Sequence, residues 1–253
     1  MTTATTAHLT RRLGTVAHGA LAVLYAAFTG LASFGIPSLL TAWTTAGPEL
    51  ELRTAYVYWG VLAGLFIPVA ALALLRRALV APATMLLGLI VSIGCTLAIA
   101  LEPENAQYAA MTGIPALLLV LFHPQRGSLL QAGAAGMDRL LTGLVAVAAV
   151  PAVLLALDHA RNSAATPYTD TMHGQYAQGS IIVLALLCSG AVTALRQSGW
   201  VVAAVVTVAG TALIGVAGIV FPNDLMSVGR PWGIACVVLA ACFAGASLGA
   251  RRR

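Results

Sequence analysis

Charged residues are scarce in this chain of 253 residues: Asp, Glu, Lys and Arg together make up 8%, whereas hydrophobic residues make up 60%. An average soluble domain carries about 25% charged residues, because its surface must be solvated. The composition therefore excludes a soluble globule of this length. The mean hydropathy of +0.93 indicates that lipid covers much of the surface instead.

Lysine is absent, and all thirteen basic residues are arginine. Without a lysine the chain cannot form the Schiff base that attaches a retinal. The net charge of +5 does not indicate nucleic-acid binding, because the arginines are scattered along the chain and form no basic face. We therefore expect no nucleic-acid partner.

The motifs of soluble enzymes are also missing. The chain contains no P-loop, no GxSxG and no HExxH, and no glycine-rich dinucleotide fingerprint follows a predicted strand. The four cysteines lie in apolar runs and form no CxxC pair, which is typical of small packing residues. The sequence therefore assigns no reaction and no cofactor, and it leaves open whether the protein is an enzyme.

Eight apolar stretches approach the length of about 20 residues that a helix needs to cross a membrane. They cover approximately residues 14–38, 55–75, 79–100, 106–122, 140–157, 175–195, 199–221 and 231–249. The fourth is the shortest. We predict an all-α bundle of eight transmembrane helices, embedded in a lipid bilayer as one domain over residues 1–253.

The arginines test this count, because arginine-rich loops stay in the cytoplasm. With the N-terminus inside, ten arginines lie in inner segments and three, Arg53, Arg161 and Arg230, lie in outer segments. The acids divide in the opposite sense, with seven outside and only Asp138 inside. One span more or fewer would scramble both patterns. We therefore predict a cell-membrane protein with both termini in the cytoplasm.

A shift of 120 residues along the chain suggests an internal repeat. The shift aligns Tyr56 with Tyr176 and Arg76 with Arg196. Both halves would then start on the inner side, as in a parallel repeat of four plus four spans. The alternative is a coincidence between apolar helices of similar length.

Small residues recur at four-residue spacing in two of the predicted spans. Gly60 and Gly64 lie in the second span, and Ala241, Gly245 and Gly249 lie in the eighth. Small side chains let helix backbones approach closely where lipid supplies no hydrophobic drive. These faces could therefore serve a homo- or hetero-oligomer.

The connection between the fifth and sixth predicted spans is the richest in polar side chains. Asp158, His159, Asp170, His173 and Tyr176 all lie near the ends of these two helices. His159, Asp170 and His173 combine imidazole with carboxylate, a set that could bind zinc or copper or relay a proton. Alternatively, Asp170 caps the sixth helix, and Asp158 and His159 simply end the fifth.

Four further polar residues stand out by position. Arg53 and Arg230 lie at outer helix ends beside aromatic residues, where an arginine could contact a lipid phosphate or a carboxylate or belong to an interfacial belt. His18 and Tyr56 lie within predicted spans, and ionisable residues there usually face the protein interior. His18 could equally be a hydrogen-bonded structural histidine.

Several short segments resemble a set of multi-pass membrane proteins from GC-rich actinobacteria. The segments are ELRTAYVYWG, HPQRG, MHGQYA, FPND and GRPWG. The resemblance implies a polytopic membrane fold and brings no catalytic residues with it.

Three functions fit these observations. A small transporter or permease-like protein, which base rates for such bundles favour slightly, predicts a cavity lined by Tyr56, His173 and Tyr176. A membrane-embedded enzyme acting on a lipid or isoprenoid at the outer leaflet predicts that His159, Asp170 and His173 converge beside a groove open to lipid. A non-catalytic membrane subunit predicts no large cavity and an exposed small-residue face on the eighth span.

Overall fold

The fold is helical throughout the part of the chain that the computed structural model describes, which is residues 2–32, 35–44, 52–75, 81–123, 125–129, 136–165 and 175–252. No strand occurs in these ranges. The all-α class that the sequence predicts is therefore confirmed.

Ten α-helices and two π-helical segments follow one another along these residues. The α-helices are α1 (Thr2–Ala27), α2 (Gly35–Thr44), α3 (Arg53–Trp59), α4 (Ile67–Ala73), α5 (Ala81–Leu101), α6 (Ala106–Leu121), α7 (Arg139–Ala165), α8 (Gln175–Ala194), α9 (Trp200–Val220) and α10 (Gly229–Arg252). The π-helical segments are Phe28–Ala32, after α1, and Gly60–Phe66, between α3 and α4.

Seven helical stretches of the described chain are long and apolar enough to cross a membrane. They are Thr15–Thr44, Arg53–Ala73, Pro82–Leu101, Arg139–Ala165, Gln175–Ala194, Trp200–Val220 and Gly229–Arg252. The apolar part of α6, Ala109–Leu121, is shorter. The protein thus has the helices of a multi-pass membrane protein, and the stretch predicted as the weakest span is the one that falls short in length.

The first span differs from its prediction. The prediction ends this span near residue 38, whereas α1 is followed by a π-helical segment, Phe28–Ala32, and α2 ends at Thr44. A Cβ on Gly35 would lie 2.4 Å from the backbone carbon of Ala63, and one on Gly64 would lie 2.7 Å from that of Gly35. Two glycines therefore let the backbones of α2 and the second span come into contact. The hydropathy of a single segment does not predict such a contact between two helices.

Gly60 and Gly64 of the second span thus make a helix–helix contact within this chain. A Cβ on Gly60 would lie 2.3 Å from Cγ of Leu39, so α2 covers Gly60 as well as Gly64. Pro68 follows in the first turn of α4. Proline lacks the N–H that would bond the carbonyl four residues earlier, and the residues just before α4 form the π-helix instead of an α-helix.

The fifth span is longer than the predicted range 140–157, because α7 continues to Ala165. Asp158 and His159 are therefore helical residues, not the start of a loop. Ser163 on this added stretch donates a hydrogen bond to Glu102 at the end of α5, with 3.0 Å between Oγ and Oε2. The other end of α7 is capped by Asp138, whose Oδ1 accepts the N–H groups of Leu140 and Leu141.

Four helical units form the centre of the bundle: α3–α4, α5, α8 and α9 pack against one another. The remaining helices lie outside them, with α1 against α4, α6 against α5, α7 against α8, and α10 against α9. One end of the bundle carries Glu102, Asp158 and Asp224, and we call it the acidic end. The opposite end carries arginines that include Arg126, Arg139, Arg196, Arg251 and Arg252, and we call it the arginine end.

Candidate functional site

A cavity of about 580 Å³ lies between α7, α8, α9 and α10. It extends along α7 from Leu144 to Asp158, which at roughly 1.5 Å per residue corresponds to about 21 Å. Its walls are mostly aliphatic, with Phe243 and Trp232 from α10. Pockets of roughly 300–1,000 Å³ are the size that holds small-molecule ligands.

Packing explains why the space is open where it is. At the arginine end, Leu141 of α7 belongs to one buried cluster with Phe243, Ala246 and Ala250 of α10. Beyond that cluster the facing positions are small, among them Ala148 and Ala152 on α7 and Ala235 and Ala240 on α10. Small side chains on two outer helices leave a gap that the central helices α8 and α9 do not fill.

The cavity opens sideways between α7 and α10. Two of its lining residues on α7, Val147 and Leu154, are 72% and 61% exposed, and Trp232 on α10 is 59% exposed. In a membrane such apolar, exposed surface faces lipid and not water. A molecule would therefore reach the cavity from the bilayer.

Polar groups line the cavity at the acidic end, where Asp158, Ser227 and Trp232 lie, and deeper inside at Thr207 and Thr211. Asn162 donates a hydrogen bond to Oδ2 of Asp158 over 3.3 Å. Deeper in the cavity, the hydroxyl of Thr207 already bonds Ser189 Oγ at 3.0 Å and the carbonyl of Ala203 at 2.9 Å. The arrangement fits an amphiphile whose polar part lies at the acidic end.

His159 points away from this cavity and into the bundle. It is 2% exposed, and its Nε2 lies 3.5 Å from the hydroxyl of Tyr58. The ring of Tyr176 is 6.0 Å from its own, centroid to centroid. A Cβ on Gly179 would lie 3.1 Å from the His159 ring, so this glycine leaves the room that the imidazole occupies. His159 therefore faces the interior of the bundle, whereas Asp158, its neighbour in sequence, lines the cavity.

The predicted metal site cannot be assembled from the residues described. Asp170 and His173 lie outside the described ranges. Within those ranges, no group of three or more His, Cys, Asp or Glu side chains is placed to hold a metal ion. The Nδ1 of His159 has no hydrogen-bond partner among the residues that the structure describes, and a metal on His159, Asp170 and His173 stays a prediction.

The arginine predicted to contact an anion has a partner within the protein. Arg53 binds Asp224 through two hydrogen bonds of 2.9 Å, one from Nε and one from Nη2. Its guanidinium also lies 4.1 Å from the centroid of the Phe221 ring. This bidentate pair joins the start of α3 to the turn between α9 and α10. Arg230 is exposed on the first turn of α10.

The two intramembrane polar residues lie at opposite ends of the bundle. His18 is buried near the arginine end, with its ring 5.0 Å from that of His123, and neither ring nitrogen is hydrogen-bonded to any part of the chain that the structure describes. Gln125 donates its backbone N–H to Nδ1 of His123 over 3.1 Å, and burial together with the neighbouring His18 lowers the pKa of His123 to about 4. Tyr56 is half-buried in α3 and packs against the main core.

The small-residue face of α10 remains open within the described structure. Ala241, Gly245 and Gly249 are exposed, and a Cβ added at either glycine would meet nothing within 4 Å. An oligomer through this face stays a prediction. For Gly60 and Gly64, by contrast, the contact is made by α2.

A second, much smaller void of about 10 Å³ lies between α1, α4, α5 and α6. Tyr25 lines it, and the Tyr25 hydroxyl donates a hydrogen bond to the backbone carbonyl of Thr112 on α6. Thr112 in turn contacts Cys95 of α5, with 3.1 Å between Oγ1 and Sγ. The outer helices α1 and α6 are therefore linked where α7 and α10 leave a cavity.

Comparison of the chain with protein-family models, with curated proteins and with solved structures gave no match. The geometry of the cavity and of its acidic end therefore carries the functional argument.

Proposed function

We propose that the chain crosses the cell membrane eight times with both termini in the cytoplasm. The division of the bundle into an acidic end and an arginine end supports this orientation, since arginine-rich segments stay inside. Asp138, the one acid that the topology puts inside, is occupied as the cap of α7. The count of eight includes α6 as the fourth span, whose 16 residues amount to about 24 Å.

The four-plus-four repeat is part of the same proposal. The arrangement supports it, because in each half the second and third spans are central and the first and fourth are peripheral. The two voids support the repeat as well. Ten residues line the small void, and the 120-residue shift aligns six of them with residues that line the cavity. Residues 25, 67, 70, 91, 116 and 119 align in this order with residues 145, 187, 190, 211, 236 and 239.

For the molecular function, we propose that the protein binds a hydrocarbon chain of an outer-leaflet lipid in the cavity between α7 and α10. The observation that carries the proposal is a cavity of about 580 Å³ with apolar walls, a sideways opening and a polar acidic end. Leaving the bilayer for the cavity gives the chain no hydrophobic gain, because lipid tails are as apolar as leucine. Affinity must therefore come from close packing and from the polar end.

The other functions predict features that the cavity does not have. The transporter hypothesis requires Tyr56 and Tyr176 to line the cavity, and neither residue does. His159, which the enzyme hypothesis places beside a lipid groove, is turned toward Tyr58. A binding role fits the apolar lining better than a reaction does. The open face of α10 favours a further role as a subunit contact.

Native mass spectrometry of the protein purified from membranes tests the proposal. We expect the protein to retain lipid, and Ala148→Phe to lower the retained fraction about tenfold, because a ring in the cavity displaces the chain and overpacking costs roughly 1–3 kcal/mol. Ala146→Phe is the matched control, since Ala146 is on the same helix, exposed, and outside the cavity lining. Equal retention by both variants would sink the proposal.

A further inference from the structure

The acidic end of the cavity indicates what headgroup the bound lipid carries. We propose that Asp158 binds a primary ammonium group, so that the ligand is an amine-bearing lipid. This inference rests on the proposed lipid-binding function and specifies its ligand class.

Asp158 is placed to accept hydrogen bonds from a ligand. Its side chain is exposed at the acidic end and lines the cavity. Oδ2 accepts the amide of Asn162 at 3.3 Å, while Oδ1 has no hydrogen-bond partner among the described residues. An ammonium group brings three donors and a positive charge, which match an acceptor-only carboxylate.

No salt bridge to Asp158 occurs among the described residues. The contrast is Asp224, whose two oxygens are both taken by Arg53 at 2.9 Å. Arg161 and Arg230 are exposed, and neither lines the cavity. The cavity thus presents one carboxylate beside its apolar walls.

The other polar lining groups at this end suit the same headgroup. The hydroxyl of Ser227 accepts the backbone N–H of Gly229 over 3.2 Å and has a second lone pair for a ligand, and the indole face of Trp232 attracts cations. A phosphate in this position would instead be repelled by the carboxylate. An amine is favoured over an alcohol, because a charged donor bonds a carboxylate more strongly than a neutral one.

Photolabelling in phosphatidylcholine nanodiscs tests the headgroup. Three probes have the same diazirine-bearing alkyl chain, and they end in a primary amine, an alcohol or a phosphate. Mass spectrometry identifies the labelled residues on α7 and α10 of the full chain. We expect the amine probe to label cavity residues about tenfold more than the phosphate probe, in keeping with a charge-assisted hydrogen bond. The alcohol probe should fall between them.

Asp158→Asn should lower amine labelling about tenfold and leave alcohol labelling within about twofold. Glu102→Gln is the matched control, because it removes a negative charge from the same end without touching the cavity lining, and it should change neither. Thermal unfolding of each variant verifies folding, and the exposed position of Asp158 makes a folding defect unexpected.

The outcomes separate this inference from the proposed function. Two results would overturn the amine inference and leave lipid binding intact. In the first, Ala148→Phe abolishes labelling but the amine probe shows no preference. In the second, the amine preference survives Asp158→Asn. Labelling of α7 and α10 that is unaffected by Ala148→Phe overturns both. An amine preference lost in Asp158→Asn and kept in Glu102→Gln supports both.

Discussion

The bundle contains two voids, which the proposed repeat would relate, and they differ greatly in size. Between α7 and α10 the cavity measures about 580 Å³, whereas about 10 Å³ remains between α1 and α6. In the first half Tyr25 occupies the space and bonds α6 through its hydroxyl. The 120-residue shift puts Val145 at that position and Trp232 at the position of Thr112. A tyrosine at one position and a valine at the other thus accompany a nearly filled space and an open cavity.

The largest effect is expected from emptying the first half. Tyr25→Ala should lower the free energy of unfolding by about 3–5 kcal/mol, because it removes a buried ring and leaves a cavity. SDS titration in mixed micelles measures this. Val145→Ala, the counterpart in the second half, should cost about 1 kcal/mol, since that side chain already borders empty space. Similar losses in the two variants would contradict the comparison.

The reverse substitution should close the second half. Val145→Tyr should reduce lipid retention in native mass spectrometry about tenfold, because the larger side chain occupies the place of the hydrocarbon chain. Ala146→Tyr is the matched control and should leave lipid retention unchanged, because Ala146 is exposed and does not line the cavity. If Val145→Tyr retains as much lipid as the unaltered chain, the cavity is not where the lipid binds.

A third prediction concerns the connection between the halves. Asp224→Ala should destabilise the protein by about 1–2 kcal/mol, because it leaves the guanidinium of Arg53 without its bidentate partner; Arg53 is 23% exposed, and solvent limits the cost. Unfolding by SDS titration is again the measure, and Arg53→Ala should give a similar loss. A double variant that is no worse than either single one would identify the pair as the shared cause.

The smallest effect is expected at the start of α7. Asp138→Ala should cost about 1 kcal/mol, since it removes the acceptor for the N–H groups of Leu140 and Leu141. Asp138→Ser, which keeps a capping oxygen, should restore most of the stability. The shift of 120 residues puts His18 at this position in the first half, inside a continuous helix. A capping effect is therefore expected in one half only.

Most of the helical architecture could be predicted from hydropathy, because each span has to be apolar along its whole length. Apart from the first span and α7, the predicted ends lie within three residues of the observed helix ends. The first span extends to Thr44, beyond the predicted end near residue 38, and its last part, α2, packs on the second span through Gly35 and Gly64, a contact between distant segments. The end of α7 was wrong because its last turns carry polar residues that remain helical.

The candidate site was harder to predict. Apolar residues that line an intramembrane cavity have the same composition as residues that face lipid, so no local signal separates Ala148 from Ala146. The sequence did single out His159 and Asp158, yet it could not tell that they face different surroundings. Tyr58, which contacts His159, lies 101 residues away and becomes its neighbour only through the fold.

The length of α7 has a consequence for the depth at which a bound lipid would lie. Its 27 residues extend about 40 Å, whereas the hydrocarbon core of a bilayer is about 30 Å thick. The apolar part, residues 140–157, accounts for about 27 Å and matches the core, and the last eight residues, which begin with Asp158 and are mostly polar, add about 12 Å beyond it. A lipid held in the cavity would therefore keep its headgroup level with those of the surrounding leaflet.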